Sequence, residues 1–455
     1  MRQATRTAAR TSFTARRRLA RGRGPWPVGS ERVSGTADPG DGGAIPTRAL
    51  PRAGCRAYRE LRLHTVREGR TVIDSVTLQN FKAHRDTRVP LGRMTVLVGQ
   101  NAVGKTSVLQ AMSLLGRCLS SPTSELFAGR FALPGIVHQG ATDPLLIELD
   151  VGFVAGRRRL GLRTQPGRPP SDSAMLPSTL IDGDVILPQS IDPGADTSQM
   201  PDEAKIRCGL ERQEVAALRP QIESLLLSLD EARLAEPSYV EDEHPRMQGD
   251  GFGLATVLSE LKRTDTARFQ AFERAVQEVV PMFRSLGFKR TIVQSTIPRV
   301  MSVDGQRVLV NESNRVVADE ILLTFADAAT LPASAASEGT LVTIGMLAAI
   351  YAEPRPRVLL VDDIDRALHP FAQRSLIEAL RRALEVAPDV QVVATTHSPY
   401  LVDALDAEEV VVLGRSAGGP VRAMRLSEHP ARRHLESLTT GEFWSAEGES
   451  WVAAR

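Results

Sequence analysis

Gly99-Gln100-Asn101-Ala102-Val103-Gly104-Lys105-Thr106 matches GxxxxGK[ST] at every fixed position. In such a loop the glycines let the backbone curl until consecutive N–H groups point inward at phosphate oxygens, and the following helix adds its positive N-terminal dipole. Gly99, Asn101 and Gly104 would shape the cradle. Lys105 would reach the β- and γ-phosphates, and the Thr106 hydroxyl would ligate Mg²⁺. The cofactors implied are ATP and Mg²⁺.

Three further groups of residues fit the same chemistry. Val358-Leu359-Leu360-Val361 is an apolar run ending on Asp362-Asp363. Carboxylates at the C-terminal edge of a buried strand can hold a magnesium shell (Asp362) and supply a general base (Asp363). Ser337-Glu338-Gly339-Thr340 precedes a helical run through Leu341, Ile344 and Leu347. Its serine reads as a helix N-cap, or as a hydroxyl and N–H cluster offered to an anion together with Gly339. His397, in Thr395-Thr396-His397-Ser398-Pro399 after the Val390–Ala394 run, is placed either to contact a γ-phosphate or simply to be hydrogen-bonded.

These groups need particular elements beneath them. Met94–Val98 reads as a strand ending at Gly99, and Lys105–Leu115 as an amphipathic helix. Val358–Val361 and Val390–Ala394 are continuous apolar runs of the parallel, doubly buried type, with a helix marked by Leu376, Ile377, Leu380 and Leu384 between them. Glu409–Leu413 supplies another strand. Alternation at Val76–Asn80 and Leu145–Phe153 predicts antiparallel strands, the second turning back at Ala155-Gly156. Gln165–Pro201 is rich in Pro, Ser, Asp and Gly and reads either as a long surface loop or lid or as a disordered segment. Helical spacing is expected at Leu218, Ile222, Leu225 and Leu229, again at Leu254–Leu261, and over Ala267–Val280. Asp304-Gly305 signals a hairpin between Val300–Val303 and Val308–Val310.

Composition bounds the class. The chain has 455 residues, 42% hydrophobic and 24% charged, as in ordinary globular proteins. No apolar stretch approaches the roughly 18–20 residues of a membrane helix, so no membrane partner is expected. Cys55, Cys118 and Cys208 are too scattered for zinc or disulfides, which points to a cytoplasmic setting. The first 70 residues carry 16 arginines against five acids, whereas the whole chain is only +2. The basic character therefore belongs to this segment, which reads as a disordered extension, an early start codon or a phosphate-binding arm.

In this order, the motifs resemble the ABC-type heads of RecF/SMC-like ATPases, closest to the ATPase part of the OLD (overcoming lysogenization defect) nuclease family. Val76–Lys82 resembles the opening strand, Gly99–Thr106 the Walker A motif and Ser337–Thr340 the signature. Val358–Pro370 resembles Walker B with its D-loop, and Thr396–Pro399 the switch histidine. Gln139 then takes the place of a Q-loop residue. The resemblance implies an α/β P-loop NTPase of ABC type. Its expected parts are a mainly parallel core sheet, an antiparallel β subdomain and an inserted helical region. The boundaries are 1–70 for the extension, 71–163 and 286–418 for the two lobes, 164–285 for the insertion and 419–455 for a tail.

The implied mechanism is a homodimer in which Ser337 and Gly339 act in trans on the partner's γ-phosphate. Partners it allows are a separate nuclease chain and DNA, in DNA repair or phage defence. Too little chain follows the last expected strand for the nuclease domain carried by full OLD proteins, and no long heptad run is present for SMC-like arms. Family Walker B motifs end Asp-Glu, but here the pair is Asp362-Asp363. The shorter acid implies slow hydrolysis, or a nucleotide-gated binding module that scarcely turns over.

Overall fold

Alternating side chains decide how this molecule is layered. The computed structural model describes residues 72–454, apart from 122–125, 128–130, 154–155, 165–177, 187–190, 192–197, 240–243 and 304–305. The basic segment 1–70 lies outside the described residues, as do Ala155 and Asp304-Gly305. The rest belongs to one unit, Thr65–Arg455.

Strands β1 (Val72–Phe81), β2 (His84–Pro90), β3 (Met94–Gly99), β4 (Leu146–Phe153), β5 (Gly156–Arg163), β6 (Ser178–Ile181) and β7 (Asp184–Val185) open the described chain. All but β3 form an antiparallel sheet in the order β2-β1-β4-β5-β6-β7. The core sheet runs β15-β14-β3-β13-β12-β8. It is built from β8 (Ser224–Leu227), β12 (Val358–Val361), β13 (Gln391–Thr395), β14 (Val410–Arg415) and β15 (Val421–Arg425) around β3. Only the β14–β15 pairing is antiparallel.

Helix α1 (Lys105–Arg117) lies between the two sheets, and a single turn, α2 (Leu133–Ile136), follows it. Its Val108, Leu109, Met112 and Leu115 join Val76, Leu78, Ile147 and Leu149 of the antiparallel sheet in one apolar core. The same core takes Leu97, Val358, Leu360, Val393 and Val411 from the parallel sheet. The alternate residues of those strands, Val96, Val98, Leu359, Val361, Val392, Ala394, Val410 and Val412, face a second core. There they meet helices α6 (Glu338–Tyr351) and α7 (Pro370–Val386). Doubly covered strands of this kind read as unbroken apolar runs.

Two parts of the chain differ from the sequence reading. Gln165–Pro201, expected to be a loop, contains β6 and β7, with the Asp182-Gly183 turn between them at φ of 50° and 95°. Asp-Gly is a strong hairpin signal, and Leu180 and Ile181 bury against the sheet. The helical spacing expected from Leu218 to Leu229 holds only to Ile222, where α3 (Asp202–Ile222) ends two residues after Pro220. Leu225–Leu227 then continues as strand β8, paired with β12. A four-residue apolar run cannot be told from helix by spacing alone. The range 164–285 therefore contributes three strands to the two sheets as well as helices α3, α4 (Leu254–Thr264) and α5 (Thr266–Val279). The expected hairpin near residue 304 is the far end of a much longer ribbon, β9 (Phe283–Val303) and β10 (Gln306–Phe325). β11 (Thr330–Pro332) pairs at its base.

One buried side chain ties the sheets together. Gln391, 3% exposed, accepts from Ile73 N at 2.9 Å and donates to the carbonyls of Ile73 and Gly92 at 2.9 and 2.7 Å. Gln391→Leu would strand an N–H and two carbonyls, and unsatisfied buried groups cost about 1–3 kcal/mol each. Urea denaturation of that variant is expected to show a loss of at least about 2 kcal/mol.

Candidate functional site

The glycine loop joins the end of β3 to the start of α1. Gly99 (φ 142°), Ala102 (φ 60°) and Gly104 (φ 112°) take left-handed or extended-positive backbone that curls the loop. A Cβ on Gly99 would stand 2.4 Å from the Leu413 carbonyl oxygen. Helix α1 starts with no side-chain cap and no acidic residue in its first turn, so its end is left open to an anion. Lys105 is buried, 6% exposed, and its Nζ donates to the carbonyls of Gly99 and Gln100 at 2.8 and 3.1 Å. Burial pulls its pKa below the usual lysine value. The carboxylates of Asp363, Glu449, Asp362 and Asp365 oppose that shift.

A buried histidine braces this loop from behind. His84 Nε2 lies 3.1 Å from the Gly104 carbonyl and Nδ1 lies 3.1 Å from Thr87 Oγ1. A carbonyl can only accept, so Nε2 carries the ring proton. A Cβ on Gly104 would be 2.5 Å from that nitrogen, so the glycine is needed for the contact.

The acids arrive from β12. Asp362 Oδ1 accepts hydrogen bonds from Thr106 Oγ1 at 3.0 Å and from Thr395 Oγ1 at 2.8 Å. Thr395 Oγ1 in turn accepts from Asp363 N at 2.8 Å. Thr106 and Asp362 thus present hard oxygen donors side by side. Mg²⁺ is commonly held by one or two carboxylates plus substrate phosphates, and this pair fits it. The metal would neutralise charge on the phosphates. Among the described residues no cluster of three or more His, Cys, Asp or Glu offers an all-protein metal cage.

Asp363 sits at φ 51°, a left-handed position that aspartate tolerates. Its pKa is raised, first by burial and then by Asp362 and Asp365, while His397 and Lys105 pull it back. His397 is exposed at the end of β13. Its backbone N–H donates to Asp365 Oδ1 at 3.4 Å, and Thr396 Oγ1 donates to the same oxygen at 2.5 Å. The loop, both acids and the histidine therefore converge at the C-terminal edge of β3, β12 and β13.

Ser337 and Gly339 share no hydrogen bond with that cluster among the described residues. Ser337 caps α6, its Oγ accepting from Thr340 N at 3.4 Å. A Cβ on Gly339 would be 2.5 Å from the Ala367 carbonyl oxygen. Arg366 bridges the two segments, pairing with Glu338 at 2.9 Å and donating to the Leu229 carbonyl at 3.2 Å. Gln139 is exposed in the turn after His138. It makes no hydrogen bond to the loop or to Asp362 among the described residues. His138 does reach the β1–β2 turn, its Nδ1 lying 2.6 Å from the Lys82 carbonyl. The roles of His84 and Arg366 were not read from the sequence. Only the position of Thr395, a hydroxyl at a strand end beside acids, carried a visible signal.

Two domain families match the chain. Residues 72–121 match the AAA ATPase domain, and residues 218–403 match the family described as "AAA domain, putative AbiEii toxin, Type IV TA system". An SMC head solved in complex with the C-terminal winged-helix domain of ScpA superposes with a TM-score of 0.52. It covers 78% of this chain and 99% of that one, at 13% identity. The fold is that of an ABC-type P-loop ATPase head. The head also aligns with the SMC head domain from Thermotoga maritima over 78% of this chain and 98% of that one (11% identity, TM-score 0.41). Septu protein PtuA from Bacillus thuringiensis is 39% identical over 57 residues, which is 12% of this chain and 14% of that protein. The two AAA matches, with this geometry, support ATP hydrolysis by the head. No helix among its described residues is long and apolar enough to cross a membrane.

Burial pushes the His84 pKa down to about 4, from an ordinary 6.5. A depressed histidine binds fewer protons folded than unfolded, so its contribution is complete above the ordinary pKa and is lost as pH falls towards 4. Between pH 7 and 5 the head should lose about 2 kcal/mol of stability on this account. Denaturation of His84→Gln, which cannot titrate, should show a correspondingly flatter pH dependence.

Proposed function

We propose that the head hydrolyses Mg²⁺-ATP as a head-to-tail homodimer whose closing and opening switches a partner. The observation that carries this reading is the convergence of Lys105, Thr106, Asp362, Asp363 and His397 on one sheet edge, with Ser337 and Gly339 outside it. A signature with no hydrogen bond to the loop or the acids of its own chain is accounted for if a second copy supplies the nucleotide. Lys105 holds the β- and γ-phosphates, Thr106 and Asp362 hold the metal, and Asp363 takes the proton of the attacking water. His397 meets the γ-phosphate from the β13 side, and the partner's signature closes over it. Gln139 is the residue proposed to sense that phosphate from the antiparallel sheet.

The motif resemblance to the OLD family extends the proposal to what is switched, namely a separate nuclease chain or DNA, in repair or phage defence. Titrating duplex DNA against phosphate release tests that extension, and a rate indifferent to DNA removes DNA from it. The match to Septu protein PtuA is too short to bring a role with it.

Lys105→Ala is expected to lose ATP binding in calorimetry, and an affinity equal to the natural chain's would refute the site. Asp363 must be ionised to act as a base, and its pKa is raised. Phosphate release should therefore fall with decreasing pH, beginning above the ordinary carboxylate range. Asp363→Asn should remove that pH dependence, slow release by about 10²-fold or more, keep ATP binding and accumulate closed dimer on gel filtration.

A second reading, a binding module that scarcely turns over, is favoured by the short side chain of Asp363. A carboxylate displaced by about 1 Å can cost about 10²-fold in rate. A large gain in turnover in Asp363→Glu would support this reading; an equal or lower rate would count against it.

A further inference from the structure

The outer flank of the phosphate loop opens into a cleft of about 530 Å³. One wall is Gln100–Val103. The second is the end of β14 and the turn that follows it. The third begins at Glu449 and continues into the short helix α9 (Ser450–Ala453), which follows α8 (Thr440–Glu447). Two glycines hold these walls together. A Cβ on Gly99 would strike the Leu413 carbonyl, and one on Gly414 would stand 2.6 Å from the Glu449 carbonyl oxygen. The cleft is therefore fixed by backbone contacts and continuous with the loop.

We propose that this cleft takes the nucleoside half of the nucleotide, with the Glu449 carboxylate accepting hydrogen bonds from the ribose hydroxyls. The proposal rests on reading Gly99–Thr106 as a triphosphate site. Once the phosphates lie along the loop, the side towards β12 and β13 carries the acids Asp362 and Asp363 and the hydroxyl of Thr395. The cleft lies on the opposite flank, beside β14, and its volume falls in the range of small-molecule sites, about 300–1,000 Å³. Glu449 stands where cleft and loop meet, its charge acting on the Lys105 ammonium. Its carboxylate has no hydrogen-bond partner among the described residues. A carboxylate beside a phosphate-binding turn is how dinucleotide folds grip a ribose. Ala453 and Ala454 line the cleft with small side chains, leaving width for a flat base.

The test titrates ATP, 2′-deoxy-ATP and inorganic tripolyphosphate into the full chain and into Glu449→Ala, Ala454→Trp and Lys105→Ala. Ala454 is exposed, so its replacement leaves the fold in place. The natural chain should bind ATP more tightly than either analogue. Ala454→Trp should weaken ATP by about ten-fold and leave tripolyphosphate unchanged. Glu449→Ala should abolish the preference for ATP over 2′-deoxy-ATP, again without affecting tripolyphosphate. Equal binding of ATP and tripolyphosphate by the natural chain, or undiminished ATP affinity in Ala454→Trp, overturns the cleft. A retained ribose preference in Glu449→Ala overturns the role of that residue. Lys105→Ala keeps the two questions separate, because it should lose all three ligands; if it does not, the triphosphate reading itself fails.

Discussion

A single carboxylate oxygen organises the head. Asp362 Oδ1 receives a hydroxyl from the first turn of α1 and another from the end of β13. Three elements far apart in sequence are thereby pinned at one point on the sheet edge. The parallel pairing of β3, β12 and β13 brings their C-terminal ends level, and α1 can reach this point only because the loop curls back before it. Charge-assisted hydrogen bonds of this kind are stronger than neutral ones. They also fix the carboxylate beside the loop through the protein's own hydroxyls, which is the preorganisation that electrostatic catalysis requires.

The acid end and the signature are joined through one short segment. From Asp362 to Pro370 the chain turns at Asp363 and again at Ala367, both with positive φ. At the second turn its backbone lies against Gly339 so closely that no side chain fits between. The Arg366–Glu338 pair closes the same contact from outside. Such a half-exposed ion pair contributes little stability; its effect is geometric. In the dimer proposed above, each chain's acid and the serine it lends to the partner's nucleotide would move together.

Much of this was legible in the sequence because it depends on short, local patterns. The loop, the acid pair and the apolar runs of β3, β12 and β13 each announce themselves within ten residues. Their shared edge follows once those runs are taken as parallel strands. What escaped depended on pairing across long separations. Leu225 looks helical beside Leu218 and Ile222, and becomes a strand only because β12 offers it an edge. His84 and Gln391 are ordinary polar residues until the fold sets one against Gly104 and the other against Ile73. The β6–β7 hairpin did carry a local signal in Asp182-Gly183, but it was masked by the proline- and serine-rich composition around it.

The ribbon β9–β10 carries the head's geometry outward. At about 3.3 Å per residue, a strand of some twenty residues extends roughly 65 Å. Its base is rooted in the second apolar core through Phe283, Leu286, Ile321 and Leu323. Only β11 and one turn of 3₁₀ helix separate it from Ser337. A pivot of about 10° at that root would sweep the far end through about 11 Å at this length. In the dimer proposed above the ribbon would serve as a lever whose fulcrum adjoins the signature, turning an ångström-scale adjustment at the nucleotide into a displacement the size of a folded helix's width.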